Sequence, residues 1–369
     1  LVKVKNTGWL PIAWLLLEDS LPKDALVRRP PALKVDGKRI RLMQLKPGET
    51  AAYIYQLQLL GRGYHQIGPL VIETGDLFGL HRRWRAIADP VFILVYPKVI
   101  HIPGYDVASR RPIGEVRMAH RLFEDPTRIS GVREYQPGDP LRQINWKATA
   151  RTGVLHSKTY EPSSLVGATI VLEFHRDSYD PSNEPFRSEL AATTAVSLAN
   201  VVSLLGQQVG FVTNGRDAAD RIRTEGPRME FRTRTAAQTA VGMETKSDRL
   251  RPLVIETRRG PEQFSKILET VARVELTDGL TLPQLLAETA PRFSRHATVI
   301  VILPAVPPET AIALGYLRRQ GFAVTAVLLM FSGADEYYKA AGALAAEHVE
   351  FRCIENEDAL VDFCEQQLA

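Results

Sequence analysis

Ala168-Thr-Ile-Val-Leu-Glu-Phe174 decides the fold class of the second half of this chain. It is a near-continuous apolar run without alternation, the pattern of a strand buried on both faces. Residues 184–205 follow with Leu190, Val196, Leu198, Val201, Val202 and Leu205 on a helical stripe, and Gly206 closes it. The alternation then repeats. Residues 209–213 read as a strand, and 261–271 and 282–289 as helices. Strands at 298–303, 322–330 and 349–354 alternate with helices at 308–320, 335–347 and 356–368. Gly321 stands just past one helix end, where a left-handed residue is wanted. This order predicts a doubly wound parallel sheet covered on both faces over residues 166–369. Within it, 216–250 is Arg/Thr-rich and weakly patterned, a hairpin or an excursion.

Working back toward the start, the grammar is different. Residues 1–100 hold short β-like runs at 1–5, 12–17, 38–45, 50–59, 68–73 and 91–95. Asn6-Thr-Gly8, Lys46-Pro-Gly48 and Gly61-Arg-Gly63 punctuate them as turns. That spacing predicts a small Ig-like β-sandwich. Asp76-Leu-Phe-Gly-Leu80 reads as a tight turn whose Phe78 folds back into the sandwich. Residues 101–165 form a connector between the two parts. The overall expectation is a multidomain α+β chain.

Of 369 residues, 45% are hydrophobic, enough for a full core. Cys353 and Cys364 are too few for a disulfide scaffold and suit a reducing compartment. The net charge of +4 is unevenly spread. Residues 1–100 carry 15 basic against 8 acidic groups, and residues 260–369 carry 8 against 15. A basic front could face an anionic membrane or nucleic acid. No apolar run reaches a membrane-spanning length. The chain begins at Leu1 inside a strand pattern, so a preceding segment, a membrane anchor among the options, is expected.

Nucleotide-binding glycine loops, a nucleophile elbow and HExxH spacing are all missing from the sequence. This argues against an enzyme, and no cofactor is expected. In doubly wound sheets ligands sit beyond the carboxyl ends of strands. Here that loop is Glu173-Phe-His-Arg-Asp-Ser178. Glu173, His175 and Asp177 at alternate positions could in principle bind a metal. The plainer reading is a solvated loop.

The connector holds Gly131-Val-Arg-Glu-Tyr-Gln-Pro-Gly-Asp-Pro-Leu-Arg-Gln-Ile-Asn-Trp-Lys-Ala-Thr-Ala-Arg151, which neither a helix period nor strand alternation explains. Two roles fit it. Arg133, Arg142, Lys147 and Arg151, with Tyr135 and Trp146, have the composition of an interface hot spot. Alternatively, Glu134 and Asp139 pair with the arginines as an internal clamp, and Trp146 plugs the junction between the two domains. Pro137-Gly138-Asp139 fits a type II turn.

This stretch resembles the bacterial family called domain of unknown function 58. Arg133, Glu134, Tyr135, Gly138, Asp139, Arg142, Ile144, Asn145, Trp146, Ala148, Ala150 and Arg151 carry the likeness. Asn6-Thr-Gly8, Arg62-Gly-Tyr64, Gly68-Pro69, Asp76-Leu-Phe-Gly-Leu80, Tyr96-Pro97 and Arg258-Arg-Gly-Pro-Glu-Gln263 extend it. The resemblance implies two transmembrane helices before the chain, then a β-domain and a von Willebrand factor A-like domain. It also implies a MoxR-type AAA ATPase as partner and a place on the cytoplasmic side of the bacterial inner membrane. A metal-binding A-domain uses D-x-S-x-S, a later Thr and an Asp. Here Glu173, His175 and Asp177 occupy the first element, Thr281 resembles the second, and Pro304 stands where the Asp belongs. The site is degenerate, and no tight Mg²⁺ site is expected. The leading expectation is a non-enzymatic, membrane-anchored scaffold or adaptor. The alternatives are a nucleic-acid or anionic-surface binder and, behind it, an enzyme of unknown class.

Overall fold

The computed structural model describes residues 1–78, 80–102, 124–135, 144–162, 167–226, 229–230, 249–295, 297–329 and 334–361. The run at 168–174 forms strand β14 (Gly167–Leu172), buried at every position. It lies inside a six-stranded sheet. The parallel strands are β15 (Gln208–Thr213), β14, β20 (Ala297–Leu303), β21 (Val324–Leu329) and β22 (Glu350–Ile354), and antiparallel β18 (Leu253–Arg258) borders β15. Successive strand residues feed opposite faces, as strand geometry requires. Ile170, Leu172, Ile300 and Ile302 pack with helices α3 (Phe186–Leu204) and α5 (Pro261–Arg273). Val171, Val299 and Val301 pack with α6 (Leu282–Thr289), α7 (Pro308–Arg319) and α8 (Ala334–Ala346). The second half is therefore an α/β region with two cores, one on each face of the sheet.

The expected helices and strands of this half fall within a few residues of their observed bounds, save the helix at 356–368, which is helical over the described Glu357–Val361 and whose remainder lies outside the described residues. Three elements escaped the reading. Edge strand β18 was not expected. The 216–250 segment contains helix α4 (Ala218–Glu225), and strand β17 (Met229–Glu230) pairs with β3 (Leu21–Pro22) near the front of the chain. The excursion thus ties the two halves together.

The first half is sheet-rich. Strands β10 (Arg82–Ala88), β9 (Leu70–Gly75), β2 (Ile12–Asp19) and β5 (Ile40–Leu45) form a four-stranded antiparallel sheet. Beside it lie the pairs β1 (Val2–Lys5) with β6 (Thr50–Tyr53), β4 (Leu33–Asp36) with β7 (Gln56–Leu59), and β8 (Gly63–Ile67) with β11 (Val91–Val95). Leu15, Leu17, Leu45 and Tyr53 make one small core, and Leu21, Ala25, Ala32 and Leu33 another, beside helix α1 (Lys23–Val27). The 50–59 run is two strands rather than one. The arginine-rich β10 was missed because its seven residues are all exposed and show no burial alternation.

One expectation is overturned here. Phe78 does not fold back into the sheets; it is 86% exposed, with Leu77 and Leu80 each at 79%. The connector also has structure of its own. Strand β12 (Glu124–Glu134) pairs with β13 (His156–Pro162), with helix α2 (Trp146–Thr152) between them. Among the described residues no helix is long and apolar enough to cross a membrane.

Candidate functional site: the joint at the tip of β14

The chain leaves β14 where the strand order reverses, with β15 on one side and β20 on the other. This is the crevice in which doubly wound sheets place ligands. The loop there is not solvated, as the plainer reading had it. Glu173 and His175 are buried, while Arg176 and Asp177 are exposed. The Glu173 carboxylate accepts hydrogen bonds from Ser178 Oγ (3.0 Å) and Asn214 Nδ2 (3.3 Å). Asn214 Nδ2 also donates to Leu280 O, while its Oδ1 accepts from Phe174 N. One buried asparagine therefore joins the loops after β14 and β15 to the turn before α6. Burial raises the Glu173 carboxyl to about 7, against the smaller opposing pull of its hydrogen bonds.

These groups are engaged by the protein itself. Glu173 points inward, His175 Nδ1 accepts from Asp177 N, and Thr281 N donates to Gln284 Oε1 at the start of α6. Among the described residues no three His, Cys, Asp or Glu side chains converge.

Above the loop lies the joint with the sheet-rich half. Arg62, at the entry to β8, donates from Nη1 to Val271 O and Val274 O, both at 2.8 Å. These carbonyls end α5, where helix acceptors lack intrahelical partners and the dipole is negative. The guanidinium also stands 5.2 Å from the Phe174 ring centroid. Its Nε lies 3.2 Å from Glu189 Oε2, an ion-pair contact without hydrogen-bond alignment. Glu189 sits in the first turn of α3, the positive end of that helix, and accepts from Arg28 Nη2 at 2.9 Å. Arg221 and Glu275 form a two-pronged pair nearby. A cleft of about 630 Å³ runs between these groups. Arg29 and Arg176 reach its rim, exposed and without partners among the described residues. The cleft offers cations to an acidic group, but its inner guanidiniums are already paired.

The described residues of the 131–151 motif take no part in this joint. Arg133 pairs through its backbone with Ser157, and Tyr135 N donates to Leu155 O. Glu134 is exposed. Asn145 caps α2, its Oδ1 accepting from Ala148 N at 3.2 Å. Gly138, Asp139 and Arg142 lie outside the described residues. Trp146 is 67% exposed, so it plugs no junction, and Arg151 is exposed as well. Among the described residues, Arg62 with Arg28 and Glu189 clamps the two halves at this cleft. Sequence reading noted Arg62 within a turn and within the Arg62-Gly-Tyr64 likeness to the family, and gave it no clamp role; a lone arginine between two glycines was the available signal.

Residues 131–277 match the model of the family described as "Protein of unknown function DUF58". This segment belongs to the DUF58 family. The DUF58 match takes in the 131–151 motif, the strand-tip loop, Glu189, and the two carbonyls that Arg62 grips. Arg28 and Arg62 lie ahead of it. "Uncharacterized protein YeaD" of Bacillus subtilis (strain 168) is 26% identical over 212 residues, 56% of this chain and 49% of the relative. The chain thus spans about half the length of the curated relative it matches. Proximal thread matrix protein 1 from the mussel byssus, a solved structure, aligns over 54% of this chain and 44% of its own. Its identity is 13% and its TM-score 0.31, a likeness too slight to bear on the fold.

Proposed function

We propose that this chain is a non-enzymatic scaffold or adaptor whose outward edge at α2 docks a protein partner. The observation that carries the reading is Trp146, 67% exposed yet held in place. Its helix is capped by Asn145, and the neighbouring Ile144 is buried and bridged to Ser157. Lys147 and Arg151, four residues apart, stand on one exposed side of α2 beside it. A fixed exposed tryptophan next to cations is the composition that dominates binding hot spots. The family resemblance points to a MoxR-type AAA ATPase as the partner, with a von Willebrand factor A-like α/β region and a front β-sandwich. It also points to anchoring on the cytoplasmic side of the inner membrane by a segment ahead of Leu1. Recovery of that ATPase on immobilised chain tests the reading. Trp146→Ala and Arg142→Ala should each reduce it. Unchanged recovery with both variants folded would remove the motif as an interface.

An anionic-surface binder remains the second reading, favoured by the exposed arginines of β10. Such binding weakens steeply with salt, and a flat salt response rejects it.

A further inference from the structure

One end of the four-stranded sheet gathers apolar tips from two loops. Pairing of Ile12 with Leu45 and of Leu15 with Thr74 puts the β1–β2, β5–β6 and β9–β10 connections at the same end. Asn6 staples two of them, donating from Nδ2 to Leu10 O and Leu45 O. Trp14 Nε1 donates to Asp76 O and ties in the third. From this braced base Trp9 (84% exposed), Leu77, Phe78 (86%) and Leu80 project into solvent. Loops held by such bonds do not expose four large apolar side chains without a use for them.

The charges lie behind the tips. Strand residues recede from a turn by about 3.4 Å each, so Arg82, Arg83 and Arg85 of β10 stand one to several steps back. The acids nearby are turned to other work. Asp76 Oδ1 accepts from Leu80 N, Glu49 Oε2 accepts from Lys46 N, and Glu73 lies 3.6 Å from Arg82. Arg83 and Arg85 have no partner among the described residues.

We propose that this end of the sheet inserts into an anionic lipid surface, with Trp9, Leu77, Phe78 and Leu80 in the interfacial layer and Arg83 and Arg85 at the headgroups. The layering selects a membrane over other anions. Apolar tips lead and cations follow at the depth of a headgroup layer, whereas a nucleic acid would meet the cations first. The tips also project from convex loops instead of lining a groove for a peptide. Interfacial segments bury their apolar face by roughly 5–10 Å, about the reach of these side chains. The inference is independent of the partner edge at α2 and rests on the anionic-surface reading, to which it adds the lipid and the inserting side chains.

Vesicle co-sedimentation tests it, using phosphatidylcholine alone and phosphatidylcholine mixed with phosphatidylglycerol. The chain should bind the mixed vesicles and bind them less as salt rises. Leu77→Ser with Phe78→Ser should cut binding by at least about tenfold, since two large apolar side chains no longer insert. Arg83→Gln with Arg85→Gln should remove a similar factor, and only from the phosphatidylglycerol mixture. Trp146→Ala should bind like the unmodified chain, which separates this proposal from the partner-docking one. All four β10-tip positions are exposed, so circular dichroism should show intact folding. No binding to the mixed vesicles, or undiminished binding by the folded Leu77/Phe78 variant, would overturn the proposal. So would an oligonucleotide that displaces the vesicles while binding the Leu77/Phe78 variant at full strength.

Discussion

Arg62 and Glu189 meet at 3.2 Å across the joint between the sheet-rich and α/β halves. Each answers a helix end, Arg62 the carbonyls that close α5 and Glu189 the first turn of α3. With its side chain only 7% exposed, Arg62 makes two charge-assisted hydrogen bonds in a poorly hydrated place. Arg62→Ala should therefore lower unfolding free energy by about 3 kcal/mol, since it leaves two helix-end carbonyls unmet. Glu189→Gln should cost less, because Arg28 and solvent share that carboxylate. Urea denaturation of the two variants and their double mutant checks this. An Arg62→Ala loss within about 0.5 kcal/mol, the range of ordinary surface changes, would mean that the clamp does not hold the joint.

The elements of the α/β half were legible because both faces of its sheet are buried. Ile170 and Leu172 fill one core and Val171 the other, so the strand appears as an unbroken apolar run. Helix α5 showed through its apolar stripe, and α3, buried nearly all round, through its length and apolar content. The joint did not, since its contacts cross the chain from Arg62 to Val274 and pair a guanidinium with backbone carbonyls. Every residue provides such a carbonyl in much the same way, so sequence carries no trace of it. Trp146 stayed open between an exposed anchor and a plug for a related reason: a large aromatic reads as either until its surroundings are known, and it is 67% exposed. Phe78, expected to fold back, misled on the same ground. The capping role of Asn145, by contrast, follows from its place just before α2.

Glu173 gives a pH signature. In the unfolded chain its carboxyl ionises near 4.5; in the folded protein it holds its proton to about 7. The folded state therefore binds more protons between those values, and its stability falls as pH rises through that window, then levels off. At roughly 1.4 kcal/mol per unit, the whole window is worth on the order of 3 kcal/mol. Glu173→Gln keeps an oxygen acceptor for Ser178 and Asn214 and removes the ionisation. Relative to the unmodified chain it should gain stability progressively from pH 5 to 8. Chemical denaturation of both proteins across that range checks the slope. A difference that does not change with pH would show that Glu173 ionises normally.

Asn145 and Trp146 should separate stability from binding although they are adjacent. Asn145→Ala removes the cap of α2 and should cost about 1 kcal/mol locally. Hydrogen exchange across residues 146–152 should rise. Trp146→Ala changes a side chain that is mostly in solvent, so its effect on stability should stay within about 0.5 kcal/mol. If Trp146→Ala instead destabilised the chain strongly, the exposed-edge assignment would fail.

Gly215 links the strand-tip network to the clamp. A Cβ there would lie 2.3 Å from Val274 Cγ2, 3.1 Å from Phe174 Cβ and 3.2 Å from Glu275 O. Val274 carries one of the carbonyls that Arg62 grips, and Phe174 lies under its guanidinium. Gly215→Ala should thus cost about 2 kcal/mol as overpacking, and part of that loss should come from shifting Val274 away from Arg62. In an Arg62→Ala background the same substitution should cost less, since the bond it disturbs is already gone. Residues that share a partner couple by about 0.5–3 kcal/mol, beyond the error of denaturation curves. Strictly additive losses would mean that Gly215 serves local packing alone and that the strand tip does not sense the clamp.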